Sequence, residues 1–164
     1  MRSLLFSLLI AMFSFAPVHA ADEAVPTFGD WAKKCDKGAD DQEICYVFQT
    51  VSNKDTGQMI MQVRVGFAPD KPEPVMIVTL PLGALLPPGA AFMVEGAEPL
   101  KMPFLACGRE GCTTVGQALP QATLEAMRKG EQATVRMALL NQKVLPLPVS
   151  LKGFTRAFNS IAPK

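Results

Sequence analysis

Proline and glycine cut this chain into short apolar runs. The 164 residues include 14 Pro and 12 Gly, about 16% together, a density that suits a turn-rich β protein better than a helix bundle. Ile44–Val51 (ICYVFQTV) is a β-branched and aromatic run, and the SNKDTG turn after it leads into Met59–Phe67. There Met59, Met61, Val63 and Val65 share one face and Gln62 and Arg64 the other, which predicts a hairpin. The continuous apolar run Val75–Leu80 predicts a central strand buried on both sides. Pro81-Leu82-Gly83 and Pro87-Pro88-Gly89 mark two turns. Further short strands are expected at Ala91–Glu95, at Leu100–Cys107 with a break or edge at Pro103, at Thr113–Ala118, at Ala133–Leu140 and at Val144–Val149. Two helices complete the pattern. Pro120–Lys129 has Pro in its first turn, Gly130 as C-cap and Leu124 and Met127 facing inward. A C-terminal helix capped by Ser150 places Leu151, Phe154, Phe158 and Ile161 on one face. The expected fold is mainly β, an antiparallel β-sandwich with one or two short helices, and the single Trp, Trp31, pins the first strand into the core.

The first twenty residues read as an address. Arg2 is a short positive region, Leu4–Phe15 an apolar run and Val18-His19-Ala20 a small-x-small cleavage site. Residues 1–20 are therefore expected to be a cleaved secretory signal peptide, with 21–164 a single β-sandwich domain behind a loose leader, Ala21–Thr27. No transmembrane segment is expected after cleavage. Removal of Arg2 takes Lys+Arg from 16 to 15 against Asp+Glu 15, so the mature charge is about zero. The only histidine, His19, leaves with the signal. Without an imidazole, Ser-His-Asp and Cys-His nucleophilic sites and the usual zinc or non-haem iron centres are excluded. Neutral charge with no basic cluster argues against nucleic acid. No cofactor or metal site is expected.

Cys35, Cys45, Cys107 and Cys112 in an exported chain read as two disulfides. Three pairings exist. Proximity in sequence favours Cys35–Cys45 and Cys107–Cys112, both structural, since neither pair has the C-x-x-C spacing of a redox centre.

The order of landmarks then becomes recognisable: Phe28-Gly29-Asp30-Trp31, Cys35 and Cys45, Gly57, Leu80-Pro81-Leu82-Gly83, Gly89, Cys107…Gly111-Cys112, and the closing Ser150-Leu151-x-Gly153-Phe154-x-x-Ala157. Together these resemble the invasion-associated locus B family of exported bacterial proteins, over about Phe28 to Ile161. The resemblance implies an immunoglobulin-like sandwich in the periplasm or outer envelope of a Gram-negative bacterium, or secreted from it, and a link to host-cell invasion. It supplies no catalytic motif. Trp31 and Phe154 would be core anchors, Gly83, Gly89 and Gly153 backbone-geometry positions, and the cysteines staples.

The expected function is non-catalytic: binding of an envelope or host protein, or a surface component, with the loop carrying Arg109 as candidate interaction loop. An unpaired edge strand would permit a homodimer. Two alternatives are weighed. A periplasmic chaperone could use a methionine-lined groove built from Met59, Met61, Met93, Met102 and Met137. A histidine-free hydrolase would need paired carboxylates, for which Asp30, Asp40, Asp41 and Glu43 are the nearest candidates.

Overall fold

Alternation of buried and exposed side chains sets the architecture. The computed structural model describes residues 25–38, 41–69 and 71–163, so the expected signal peptide, His19 and Asp40 lie outside the described residues. Its strands are β1 (Thr27–Phe28), β2 (Trp31–Lys37), β3 (Glu43–Ser52), β4 (Met59–Phe67), β5 (Pro74–Leu80), β6 (Ala90–Val94), β7 (Leu100–Met102), β8 (Phe104–Gly108), β9 (Gly111–Thr114), β10 (Gln117–Ala118), β11 (Gln132–Ala138) and β12 (Val144–Ser150). The helices are α1 (Gln121–Lys129) and α2 (Phe154–Asn159).

Two antiparallel sheets share one core. The larger runs β1-β2-β3-β4-β5-β9-β8, with β10 also on β5, and the smaller runs β12-β11-β6-β7. Val47, Met61, Val63, Val65, Met76 and Val78 project from the large sheet, and Phe92, Val94, Met102, Val135, Met137 and Val149 from the small one. Burial of this apolar area is the main stabilising term. Both disulfides join residues directly opposite each other on neighbouring strands: Cys35 with Cys45 on β2–β3, and Cys107 with Cys112 on β8–β9.

Several local expectations change. Leu100–Cys107 is not one strand. Pro103, which cannot donate to a ladder, separates β7 in the small sheet from β8 in the large one, so the chain changes sheet there. Thr113–Ala118 likewise divides into β9 and β10. β5 is not buried on both faces: Met76 and Val78 enter the core, while Val75 and Ile77 stay half-exposed on the outer face. Gly130 is the C-cap of α1 as expected, with an extended backbone (φ −78°). Space explains the choice of glycine, since a Cβ there would lie 3.0 Å from the Ala126 carbonyl oxygen and 3.1 Å from Leu151 Cδ1.

Ser150 does not cap α2. It ends β12, and its hydroxyl donates to Asp30 Oδ2 at 2.6 Å, while Gly153 (φ +88°) opens the helix. The apolar face of α2 still packs inward. Phe154 meets Trp31 edge-on with ring centroids 5.0 Å apart, and Phe158 packs against Phe67 in a tilted pair at 5.6 Å. Helix α2 thereby closes one end of the sandwich.

Candidate functional site

The β8–β9 hairpin has a two-residue tip. Gly108 pairs with Gly111, leaving Arg109 and Glu110 exposed at the turn. The adjacent Cys107–Cys112 bridge holds the strands with Cα atoms 3.9 Å apart. The tip flanks the outer face of the large sheet. There Arg109 and Glu110, with Gln62, Arg64, Thr79 and Thr113, line a polar recess of about 390 Å³. The hydroxyls of Thr79 and Thr113 bond each other at 3.2 Å, and the Gln62 amide donates to Thr50 Oγ1 at 3.1 Å.

Cross-strand register carries the face further. Tyr46, Gly66 and Val75 form one row across β3, β4 and β5; Phe48, Arg64 and Ile77 form the next. Gly66 contributes no side chain, so its row sinks into a depression of about 250 Å³. Its wall is almost wholly apolar: Ile44, Tyr46, Phe67, Pro69, Val75 and Ile77, with Arg64 at the border. Arg64 therefore lines both recesses.

Charge on this face is unevenly matched. Lys34 Nζ lies 2.9 Å from Asp36 Oδ1, and the Tyr46 hydroxyl donates to Asp36 Oδ2 at 2.8 Å. The hydrogen bonds from Lys34 and then Tyr46 hold the Asp36 carboxyl below the usual range. The same bond to Asp36 raises Lys34, while Tyr46 is raised mainly by desolvation. Among the described residues the other ion pair is Lys37–Asp41, at 3.6 Å, so neither Arg64 nor Arg109 has a carboxylate partner. The Nε of Arg64 is shielded from solvent and makes no hydrogen bond.

The remaining candidates land elsewhere. Asp30 precedes β2 and Glu43 pairs with Lys37 at its far end, a separation of about 20 Å at strand rise. That is beyond the reach of a carboxylate pair acting on one glycosidic bond. Asp30 instead accepts the Ser150 hydroxyl at the α2 end. Cys35, Glu43 and Cys45 lie within 4.8 Å of one another, but the two sulfurs are bonded to each other and offer no thiolate. Met61, Met102 and Met137 are buried in the core, while Met59 and Met93 are half-buried and line separate recesses, Met59 the polar one beside the hairpin, so the five methionines form no shared groove.

Gln49 escaped the sequence reading. It is 6% exposed, donates through Nε2 to the carbonyls of Asp30 (3.2 Å) and Ser150 (3.0 Å), and accepts from Ser150 N (2.9 Å). Trp31 Nε1 also donates to the Ser150 carbonyl, at 2.8 Å. This network ties β3 to the end of β12. Its only sequence signal is parity: Gln49 falls on the same face as Val47.

The family model described as "Invasion associated locus B (IalB) protein" matches residues 31–162. The chain belongs to the invasion associated locus B family. The crystal structure of invasion associated protein B from Bartonella henselae superposes with a TM-score of 0.74 at 22% identity, covering 84% of this chain and 93% of that one. Among curated proteins none matches. The span matched to the IalB family contains both disulfides, the hairpin and both recesses. Among the described residues no helix is long and apolar enough to cross a membrane.

Proposed function

We propose that this IalB-family protein is exported to the periplasm or outer envelope of a Gram-negative bacterium and acts without catalysis, by binding another protein or a surface component. Export is supported by the Arg2, Leu4–Phe15 and Val18-His19-Ala20 pattern, and by two disulfides, which persist in oxidising compartments. Binding is supported by one observation above the others. A disulfide-held hairpin tip places Arg109 beside a recess that also contains Arg64, and neither arginine has a carboxylate partner among the described residues. A rigid loop that presents exposed charged side chains is a low-entropy way to engage a partner. The chemistry also points away from catalysis: no histidine follows residue 20, and Asp30 and Glu43 stand at opposite ends of β2.

In-cell crosslinking of the tagged protein in its native envelope, followed by mass spectrometry, tests this reading. A reproducible partner is expected with the wild type. Capture falls with Arg109→Ala while the thermal midpoint stays unchanged. Equal capture by wild type and variant would remove the hairpin from the binding surface. A link to host-cell invasion rests on the family's description alone, and host-cell entry by a deletion strain of the parent bacterium measures it.

A further inference from the structure

The binding face has a polarity of its own, which narrows what it holds. Arg64 stands on the boundary between an apolar depression and a polar recess. Gly66 opens the first by leaving its row without a side chain between Tyr46 and Val75. Threonine hydroxyls and the Arg109 tip furnish the second. Of the two carboxylates here, Asp36 already holds Lys34 and the Tyr46 hydroxyl, and Glu110 shares the hairpin tip with Arg109 without an ion pair to either arginine. Arg64 makes no ion pair, and its Nε is shielded from solvent, so a ligand would meet the guanidinium at its outer nitrogens. A planar guanidinium matches a carboxylate with two parallel bonds.

We propose that this face binds the C-terminal residue of a partner polypeptide, with an apolar side chain in the depression and its free α-carboxylate on Arg64. The proposal rests on the reading of this face as a binding surface and names its ligand. Three observations select the occupant. The depression, about 250 Å³, accommodates one or two apolar side chains and is too small for a long acyl chain. Arg64 borders both recesses, so the apolar group and the anion must be close neighbours on the ligand. In an extended peptide adjacent side chains point to opposite faces, and residues two apart, which share a face, stand about 7 Å apart along the chain. A terminal apolar residue carries both on one Cα. Arg109 lines the same polar recess and adds a second positive charge, set beside the Glu110 carboxylate at the tip.

The test titrates the purified protein with an acetylated tri-alanyl-leucine bearing a free C-terminus, with the same peptide as its C-terminal amide, and with decanoate. Backbone amide chemical shifts report position and affinity. The free acid should shift the amides of Gly66, Val75 and Ile77 and bind at least tenfold tighter than the amide. Arg64→Gln should abolish that preference, Arg64→Lys should restore part of it, and Arg109→Ala should reduce it less. The comparison of acid with amide on wild-type protein stands even if an Arg64 variant folds poorly. Equal affinity for acid and amide, shifts confined to other surfaces, no shift with either peptide, or tighter binding of decanoate would each overturn the assignment. Such a failure alongside Arg109-dependent partner capture would leave the binding reading in place and sink only this ligand.

Discussion

Gly153 and Gly57 both adopt left-handed backbone, at φ +88° and +68°, yet they answer to different demands. Around Gly57 nothing lies within 4 Å of where a Cβ would sit, whereas at Gly153 a Cβ would collide with the Phe28 carbonyl oxygen. Gly57→Ala should therefore cost about 1 kcal/mol, the ordinary price of the conformation. Gly153→Ala should cost about 3 kcal/mol or more, because β1 must move as well. Urea unfolding of the two variants measures the difference. Asp36 allows a second check. Its folded carboxyl lies below the ordinary 3.8, so its contribution is present above that pH and lost as pH falls through the folded value. Tyr46→Phe removes one of the two hydrogen bonds responsible and should move the Asp36 midpoint upward in a carboxyl NMR titration. At this scale the sequence was uneven. Large apolar residues on periodic faces declared their burial, as Met61, Leu124 and Phe158 do. Gln49 and Arg64 did not, because a polar side chain reads as solvated until its neighbours are known. Arg64 was legible as outward-facing; the recess on either side of it comes from strands and a hairpin distant in sequence.

Hairpins are the units that the cysteines staple. Each bridge closes a loop within one pair of adjacent strands, with sequence separations of 10 and 5. Chain entropy then assigns about 3 kcal/mol to Cys35–Cys45 and about 2 kcal/mol to Cys107–Cys112. Replacing Cys107 and Cys112 together by Ser should lower stability by the smaller amount in a guanidinium titration, and loosen the Arg109 tip. A loss above about 4 kcal/mol would show that the bridge also supports the sheet. Proximity in sequence sufficed to pair these cysteines, since both partners sit on one hairpin. The path through Pro103 was only half visible. Proline marked the break, but which sheet each side would join depended on Met102 being buried opposite Ala90 and Phe104 lying opposite Thr114. Ser150 misled for a related reason. Its sequence position fits a cap, but the buried Gln49 amide and the Asp30 carboxylate hold it at the end of β12.

Across the whole molecule, the edges decide whether copies associate. β12 borders the small sheet and carries Pro146 and Pro148, both exposed. Ser150 N, on the same alternation, bonds Gln49 Oε1, so these positions direct their backbone nitrogens away from β11. Proline removes the donors that a second copy would use. Substituting both by Thr should produce concentration-dependent self-association in light scattering, against none in a Pro-retaining control. The fold class was accessible from turn density and alternation. What was not accessible is the way the first and last described strands meet. Trp31, Phe28 and Gln49 from the first strands are completed by Ser150, Gly153 and Phe154 near the last. During synthesis the N-terminal meander emerges first but stays unlatched until α2 arrives. A chain truncated before Ser150 would leave the Gln49 amide and Trp31 ring without their partners and expose a protease-sensitive end, so the closing segment doubles as a check that the strands before it have been made.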